Sequence, residues 1–269
     1  NTAVGYGALI SNTTGSENTS VGGLSGDALT VGANNTVVGS QALSSDTQGS
    51  QAVAIGRGAL FAQNFTSATS NQNTAVGYAA GNQITTGVQN TLIGGLAGDA
   101  LTDADNNVAI GRSALTADTL GSRSVAIGFQ ALSTQNFTSA TDVYNVAVGQ
   151  NAGLSVTTGT SNTLIGGLVG DALTTGNSNV AMGYSALSAD TLGDRAVAIG
   201  LNALASQNFT SSTDNYNVGV GYQAGYSIST GIQNTLIGAL AGDALADADD
   251  NVAVGQGTLT NDTAGSRST

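Results

Sequence analysis

A short alternation of apolar and small residues, x-V/L-A-V/I-G, recurs along the whole chain. The position of its glycine advances by 17, 17, 17 and then 21, and the same four steps repeat. A period of two is typical of β-strands, and a fixed spacing of this kind indicates a stacked repeat protein. We therefore predict a single repeat domain, residues 1–269, of fifteen coils grouped in 72-residue super-repeats: 1–72, 73–144, 145–216 and a partial 217–269. The fifteen strand glycines are Gly5, Gly22, Gly39, Gly56, Gly77, Gly94, Gly111, Gly128, Gly149, Gly166, Gly183, Gly200, Gly221, Gly238 and Gly255.

The coils are expected to be all-β, because Gly, Asn, Thr and Val recur where a helix would need Ala, Glu and Lys. In the segment NVAIG, the strand period places Val108 and Ile110 on one face and Ala109 on the other. We predict that the valine and isoleucine enter the core, and that Leu115 and Leu101 supply the facing wall. Two short strands per coil, closed by two turns, would then form a parallel β-solenoid, or β-roll. Its coils would be 17-residue units, with a 21-residue coil at every fourth place.

The turns and the strand entries also follow the repeat. A second glycine stands ten residues after many strand glycines, for example Gly49 and Gly121, and we expect these turn glycines to adopt positive φ. Asparagine precedes the strand in twelve of the fifteen coils, and stacked amides of this kind predict a hydrogen-bonded ladder. The exceptions, Ala52, Ser124 and Ala196, enter the lengthened coil, where Phe65, Phe137 and Phe209 are expected to shield the extra residues.

The amino-acid composition argues against catalysis, nucleic-acid binding and membrane insertion. The chain has no His, Cys, Lys, Pro or Trp, so we predict no catalytic residue and no cofactor-binding residue. The formal net charge is −12 and only five cations occur, which argues against a nucleic-acid partner. No apolar run is long enough for membrane insertion. Because the chain begins at Asn1 and stops where another repeat should start, we interpret it as a segment of a longer protein.

The repeats resemble those of two protein families. NVAIGRSAL, SVAIGFQAL and AVAIGLNAL are similar to the YadA-like head repeats of trimeric autotransporter adhesins. NTAVGYGALISNTTGSENTSVG is similar to repeat arrays of phage tail-fibre and tail-fibre-domain proteins. The resemblance covers the whole chain, and it implies a left-handed β-roll, a homotrimer, and a location that is extracellular, on a cell surface or on a virion.

Two acidic turns are candidate cation sites, because calcium favours clustered carboxylate oxygens. They are DADN, with Asp103 and Asp105, and DADD, with Asp247 and Asp249 followed by Asp250. Neither turn contains a complete calcium-loop motif, and the other super-repeats carry VGAN and TGNS at the same place. The interpretation as solvated turns is therefore preferred, and no metal site is predicted.

The leading functional hypothesis is a non-enzymatic structural segment of an adhesin or tail fibre. It would self-associate as a homotrimer and present a region that binds a host-surface glycan or protein receptor. In this hypothesis the alanine face of the strands packs against the other chains: Ala109, Ala126, Ala181 and Ala198. Two alternatives are a filament-forming extracellular subunit, and a glycan-binding module that uses repeated Tyr and Asn side chains such as Tyr78, Tyr184 and Tyr222. The NFT sequence at Asn64, Asn136 and Asn208 fits the glycosylation pattern, but turn chemistry explains it more simply.

Overall fold

Every regular element of the protein is a short β-strand. The computed structural model describes residues 1–268, and no helix occurs among them. Contacts group this part of the chain into two units, the first comprising Asn1–Gln130 and Gln135–Asp142, the second Ala131–Thr134 and the residues from Val143 onward. The strands of the first unit are β1 (Thr2–Val4), β2 (Thr19–Val21), β3 (Thr36–Val38), β4 (Gly49–Ser50), β5 (Val53–Ile55), β6 (Thr69–Ser70), β7 (Thr74–Val76), β8 (Thr91–Ile93), β9 (Val108–Ile110), β10 (Gly121–Ser122), β11 (Val125–Ile127) and β12 (Thr141–Asp142). Those of the second are β13 (Val146–Val148), β14 (Thr163–Ile165), β15 (Val180–Met182), β16 (Gly193–Asp194), β17 (Val197–Ile199), β18 (Thr213–Asp214), β19 (Val218–Val220), β20 (Thr235–Ile237) and β21 (Val252–Val254).

Within each unit the three-residue strands pair in parallel, coil upon coil. Thr2 lies opposite Thr19, and Val53 lies opposite Thr74 across the lengthened coil. The same register continues in the second unit, where Val146 lies opposite Thr163. Each strand therefore presents equivalent residues at equivalent heights, as a β-solenoid requires. The prediction of an all-β parallel solenoid is confirmed.

The second wall of the coil differs from the prediction of two strands per coil. A second parallel pair forms only at the lengthened coils: β4 with β6, β10 with β12, and β16 with β18. In the other coils this wall consists of turns and bends. The hydrogen bonds show the physical reason. In the other coils, N–H groups of this wall donate to side-chain oxygens of the next coil, as Val88 does to Asp105 Oδ1 at 2.7 Å and Ala33 to Ser50 Oγ at 3.0 Å. These side-chain acceptors take the place of the backbone carbonyls that a strand pair needs.

The two faces of the strand are the reverse of the prediction. The central residue points into the core, so Ala109 is fully buried, whereas Val108 and Ile110 on either side of it are only half-buried. Ala126, Ala181 and Ala198 are likewise fully buried within their own coils. These alanines therefore cannot form the face that meets other chains. The core consists instead of strand-centre residues, mostly alanine, packed against leucines that include Leu101 and Leu115.

The two sets of glycines are needed for different reasons. The strand glycines have positive φ, for example +139° at Gly94, and a Cβ there would lie 2.5 Å from the Gly111 carbonyl oxygen in the next coil. The turn glycines were expected to share this conformation, but Gly49 and Gly121 do not have positive φ. A Cβ at Gly49 would overlap the Oδ2 atom of Asp46. The turn glycine is therefore explained by close approach and not by φ.

Candidate functional site

The asparagines before the strands form the predicted ladder. Each Oδ1 accepts the backbone N–H of the next residue in the ladder, usually another asparagine, as Asn90 does from Asn107 at 2.9 Å. Each Nδ2 donates to a backbone carbonyl, in this case that of Ala104 at 2.8 Å. From Asn18 to Asn251 these asparagines are buried between the coils, and a buried polar group is stabilising only when it is hydrogen-bonded. The ladder is therefore a structural element, and burial keeps these side chains from a ligand.

A buried Asp–Gln pair takes over where the ladder is interrupted. Asp46 accepts hydrogen bonds from the N–H of Gly49 at 2.9 Å and of Phe65 at 3.1 Å, and from Nε2 of Gln63 at 2.7 Å. Gln63 in turn accepts from Nδ2 of Asn73 at 2.9 Å, which replaces the asparagine missing at Ala52. The same carboxylate–amide contact recurs between Asp118 and Gln135 and between Asp190 and Gln207. This pair fixes the extra residues of the lengthened coil, and Phe65, Phe137 and Phe209 are buried there as predicted.

Burial and hydrogen bonding act in opposite directions on these carboxyl groups. Burial raises the pKa of Asp46 and of Asp190, while the hydrogen bonds from the glutamine and from the backbone lower it. Burial is the larger effect, so the pKa of both groups lies above its ordinary value. Both oxygens of Asp46 accept hydrogen bonds from N–H donors. A carboxyl group so enclosed is placed to hold the turn and not to meet a substrate.

The candidate calcium aspartates serve as hydrogen-bond acceptors for the preceding coil. Asp105 accepts from the Val88 N–H at 2.7 Å, and Asp249 accepts from that of Ile232 at 2.8 Å. Hydrogen bonds from the hydroxyls of Ser229, which has the larger effect, and Thr230 hold the pKa of Asp247 below its ordinary value. Asp103 accepts from the hydroxyl of Thr86. Within residues 1–268 no three His, Cys, Asp or Glu side chains come together in a way that could hold a metal ion.

The outward face of the strands is an apolar surface in each unit. The first residue of each three-residue strand is Thr or Val, and the third is Val, Ile or Met. These side chains stay partly exposed, with 38% exposure at Ile93 and 40% at Ile237. In the first unit the third residues are Val4, Val21, Val38, Ile55, Val76, Ile93, Ile110 and Ile127. We call this set, with its counterparts in the second unit, the outer apolar column.

The tyrosines proposed for glycan recognition are exposed but do not form a continuous row. Tyr78, Tyr184 and Tyr222 each follow a strand glycine, and about half of each side chain is accessible. In the second unit Leu201 occupies the same position in the coil between Tyr184 and Tyr222. Tyr78 differs from them because the guanidinium of Arg57, in the preceding coil, lies over its ring, 5.9 Å from the centroid. The three glycosylation-like asparagines, Asn64, Asn136 and Asn208, are exposed at the lengthened coils.

Sequence reasoning missed the Asp–Gln pair and the groove beside Tyr78. A signal for the pair existed, since Gln63 recurs at 72-residue intervals in the coils that lack the ladder asparagine, and Asp46 recurs with it in the coil before. Among residues 1–268 there is also no helix of the length and apolar character that crossing a bilayer requires. Comparisons with family models, with curated proteins and with solved structures gave no match to this chain.

Proposed function

We propose that this chain is a non-enzymatic structural segment of an extracellular fibre, and that it works as a homotrimer packed through the outer apolar column. The observation that carries the proposal is that, within each unit, every three-residue strand has Val, Ile or Met at its third position. Parallel sheets are ordinarily covered on both faces, and an extended exposed apolar patch marks an interaction surface. The resemblance to adhesin heads and tail fibres supports threefold closure and a location on a cell or virion surface. Three 17-residue coils followed by one 21-residue coil set the repeat of the fibre.

Covering the outer apolar column gives a small free-energy gain at each level, and these gains add along the stack. Fully burying a Val or Ile side chain stabilises by roughly 1.5–3 kcal/mol, and these side chains are already about two-thirds buried, so about 0.5–1 kcal/mol per level remains. In the first unit eight levels at roughly 4.8 Å spacing extend the column over about 34 Å. Gains of this size, repeated at every level, sum in a stack as nearest-neighbour contributions do. Association along the column therefore stabilises the coils it covers.

The proposal that the segment is not an enzyme rests on the use of its acidic groups. The buried carboxylates Asp46, Asp118 and Asp190 are occupied by backbone and glutamine donors. Asp105 and Asp249 accept backbone N–H groups of the preceding coil. Since the chain lacks His, Cys and Lys, no base or nucleophile of these types stands beside them.

The interface proposal is tested by placing charges on the column. Light scattering with size-exclusion chromatography, supported by native mass spectrometry, should give a trimer for the unmodified chain. Ile93→Glu with Ile110→Glu should shift the mass to the monomer, because each carboxylate would be desolvated in the interface. Circular dichroism should retain its β signal, since both side chains point outward.

Val31→Glu is the matched control, because Val31 is exposed to a similar degree, 40%, but lies in a bend outside the strands. It should leave the trimer intact. A chain that remains monomeric at all concentrations, or a trimer that survives both glutamates, would overturn the proposed assembly. Ala126→Glu would not be a valid test, because Ala126 is buried in the core and its replacement would disrupt folding.

A further inference from the structure

A shallow groove lies at the first lengthened coil, on the flank that carries Tyr78. It encloses about 230 Å³. Its walls include two aromatic side chains, Phe61 with 37% and Tyr78 with 56% exposure. The residues that line it are Gln41, Arg57, Gly58, Phe61, Tyr78, Ala79 and Asn82. This volume is below the range typical of drug-sized ligands and suits one small ring.

The groove interrupts the repetition of the chain. One super-repeat further on, the positions of Arg57, Phe61 and Asn82 hold Phe129, Ser133 and Leu154. Two super-repeats further on, Tyr222 repeats Tyr78, but the cation is replaced by Leu201. Since the repeat itself builds the solenoid, residues that occur together at one level only are not needed to build the other coils. A function specific to that level accounts for them.

The charge of the groove is opposite to that of the chain. No carboxylate lines it, although Asp and Glu outnumber Arg by 17 to 5. Within residues 1–268 Arg57 forms no ion pair, unlike Arg123 and Arg195. Its guanidinium lies over the Tyr78 ring at the groove, and its N–H donors have no carboxylate partner among the described residues. Arginine recognises carboxylates in bidentate geometry.

The wall beside the cation is fixed. Nδ2 of Asn82 donates to the carbonyl of Gly58 at 3.0 Å, and its Oδ1 accepts from Gln83 at 2.7 Å. We infer that the groove binds a uronic-acid unit of an acidic polysaccharide, with the carboxylate on Arg57 and the ring against Tyr78 and Phe61. Aromatic rings offer a rigid apolar face to the sugar at little cost in conformational entropy. This site goes beyond the structural role proposed above and does not depend on it.

The test uses a galacturonic acid trimer, with its methyl ester as a neutral probe of similar shape. Isothermal titration calorimetry on the full chain should detect the acid form, and affinity for the ester should be at least about tenfold lower, because the ester lacks the charge that Arg57 pairs with. Arg57→Gln and Tyr78→Ala should each lower affinity for the acid by about tenfold.

Two variants serve as matched controls. Arg112→Gln removes another arginine that stacks on an aromatic ring, Phe129 at 5.7 Å, outside the groove. Tyr222→Ala removes the tyrosine at the position that repeats Tyr78. Both should bind as the unmodified chain does. No heat of binding at millimolar trimer, equal affinity for the ester, or equal losses in the controls would each overturn the inference. The oligomeric state, measured on the same samples, reports separately on the fibre proposal.

Discussion

The asparagine ladder predicts a large and local loss of stability when one amide is removed. Asn90→Ala deletes the acceptor of the Asn107 N–H and the donor to the Ala104 carbonyl, both deep between coils. Each buried group left without a partner costs about 1–3 kcal/mol, so we expect a loss of about 2–6 kcal/mol. The third bond, from Asn90 to Asn73 at 3.3 Å, adds little because Asn73 Oδ1 still accepts the Asn90 N–H.

The natural alanine in the ladder shows why this substitution would not be tolerated. At Ala52 the next asparagine, Asn73, obtains its missing contacts from Asn71 Oδ1 at 3.0 Å and from Gln63 Oε1 at 2.9 Å. Both substitutes belong to the lengthened coil. The coil that begins at Asn90 has no extra residues, so nothing replaces the amide there.

The assay is urea unfolding followed by circular dichroism, at equal protein concentration because association would add to stability. Hydrogen exchange with mass spectrometry should show faster exchange at the Asn107 amide than in the unmodified chain. Asn64→Ala is the control, since its exposed Oδ1 accepts only from Thr47, at 3.0 Å, and it should change stability by less than about 0.5 kcal/mol. An Asn90→Ala loss below about 1 kcal/mol, with Asn107 still protected, would refute the reasoning.

Three further predictions concern a turn glycine, a buried carboxyl group and the acidic turns. Gly49→Ala should destabilise by about 1–3 kcal/mol or more, because its Cβ overlaps Asp46, whereas Gly95→Ala, with nothing within 4 Å, should be neutral or stabilise by about 0.4–1 kcal/mol; thermal melts compare them. Because burial raises the pKa of Asp46, the folded state binds the carboxyl proton more tightly than the unfolded chain does. The stabilisation from that proton should therefore grow as pH falls toward 3.8 and be lost as pH rises above the raised pKa. If the free energy of unfolding varied with pH in the same way in Asp46→Asn, this prediction would be contradicted. Melts with calcium and with chelator should superimpose, and a calcium shift that Asp103→Ala with Asp105→Ala abolishes would contradict the solvated-turn interpretation.

The strand positions and the ladder could be predicted because they depend on spacing alone. A residue that repeats at each level must stack on its own copy, so Asn90 and Asn107 meet whatever the shape of the coil. The burial of Phe65 could also be predicted, since a large apolar side chain in the inserted residues can leave water only by packing against its own coil. Spacing therefore fixes which residues lie one above another.

Contacts between different positions of neighbouring coils could not be predicted from the spacing of the repeat. Gln63 meets Asp46 only because the turn of one coil lies over the turn of the next, and their separation along the chain does not show which side chains point inward there. The groove beside Tyr78 depends on the same lateral detail. The turn glycines illustrate the error that results, because their sequence context suggested positive φ. The actual constraint is a neighbouring atom: a carboxylate oxygen at Gly49, and a backbone carbonyl of the next coil at Gly87.

The orientation of the strand was the largest error, and side-chain volume explains it. Both faces of a V-A-I strand are apolar, so alternation alone does not show which face enters the core. At several levels the strand centre and the residue six positions later have reciprocal sizes: Ala109 is followed by Leu115, whereas Leu92 is followed by Gly98. A Cβ at Gly98 would lie 2.8 Å from Leu92, so the two positions share one volume. Reciprocal sizes of this kind are expected between residues that touch, and the full burial of Ala109 and Leu92 places the centre of the strand in the core. The flanking Val and Ile therefore lie outside the core, and their apolar character is the feature on which the proposed covering partner rests.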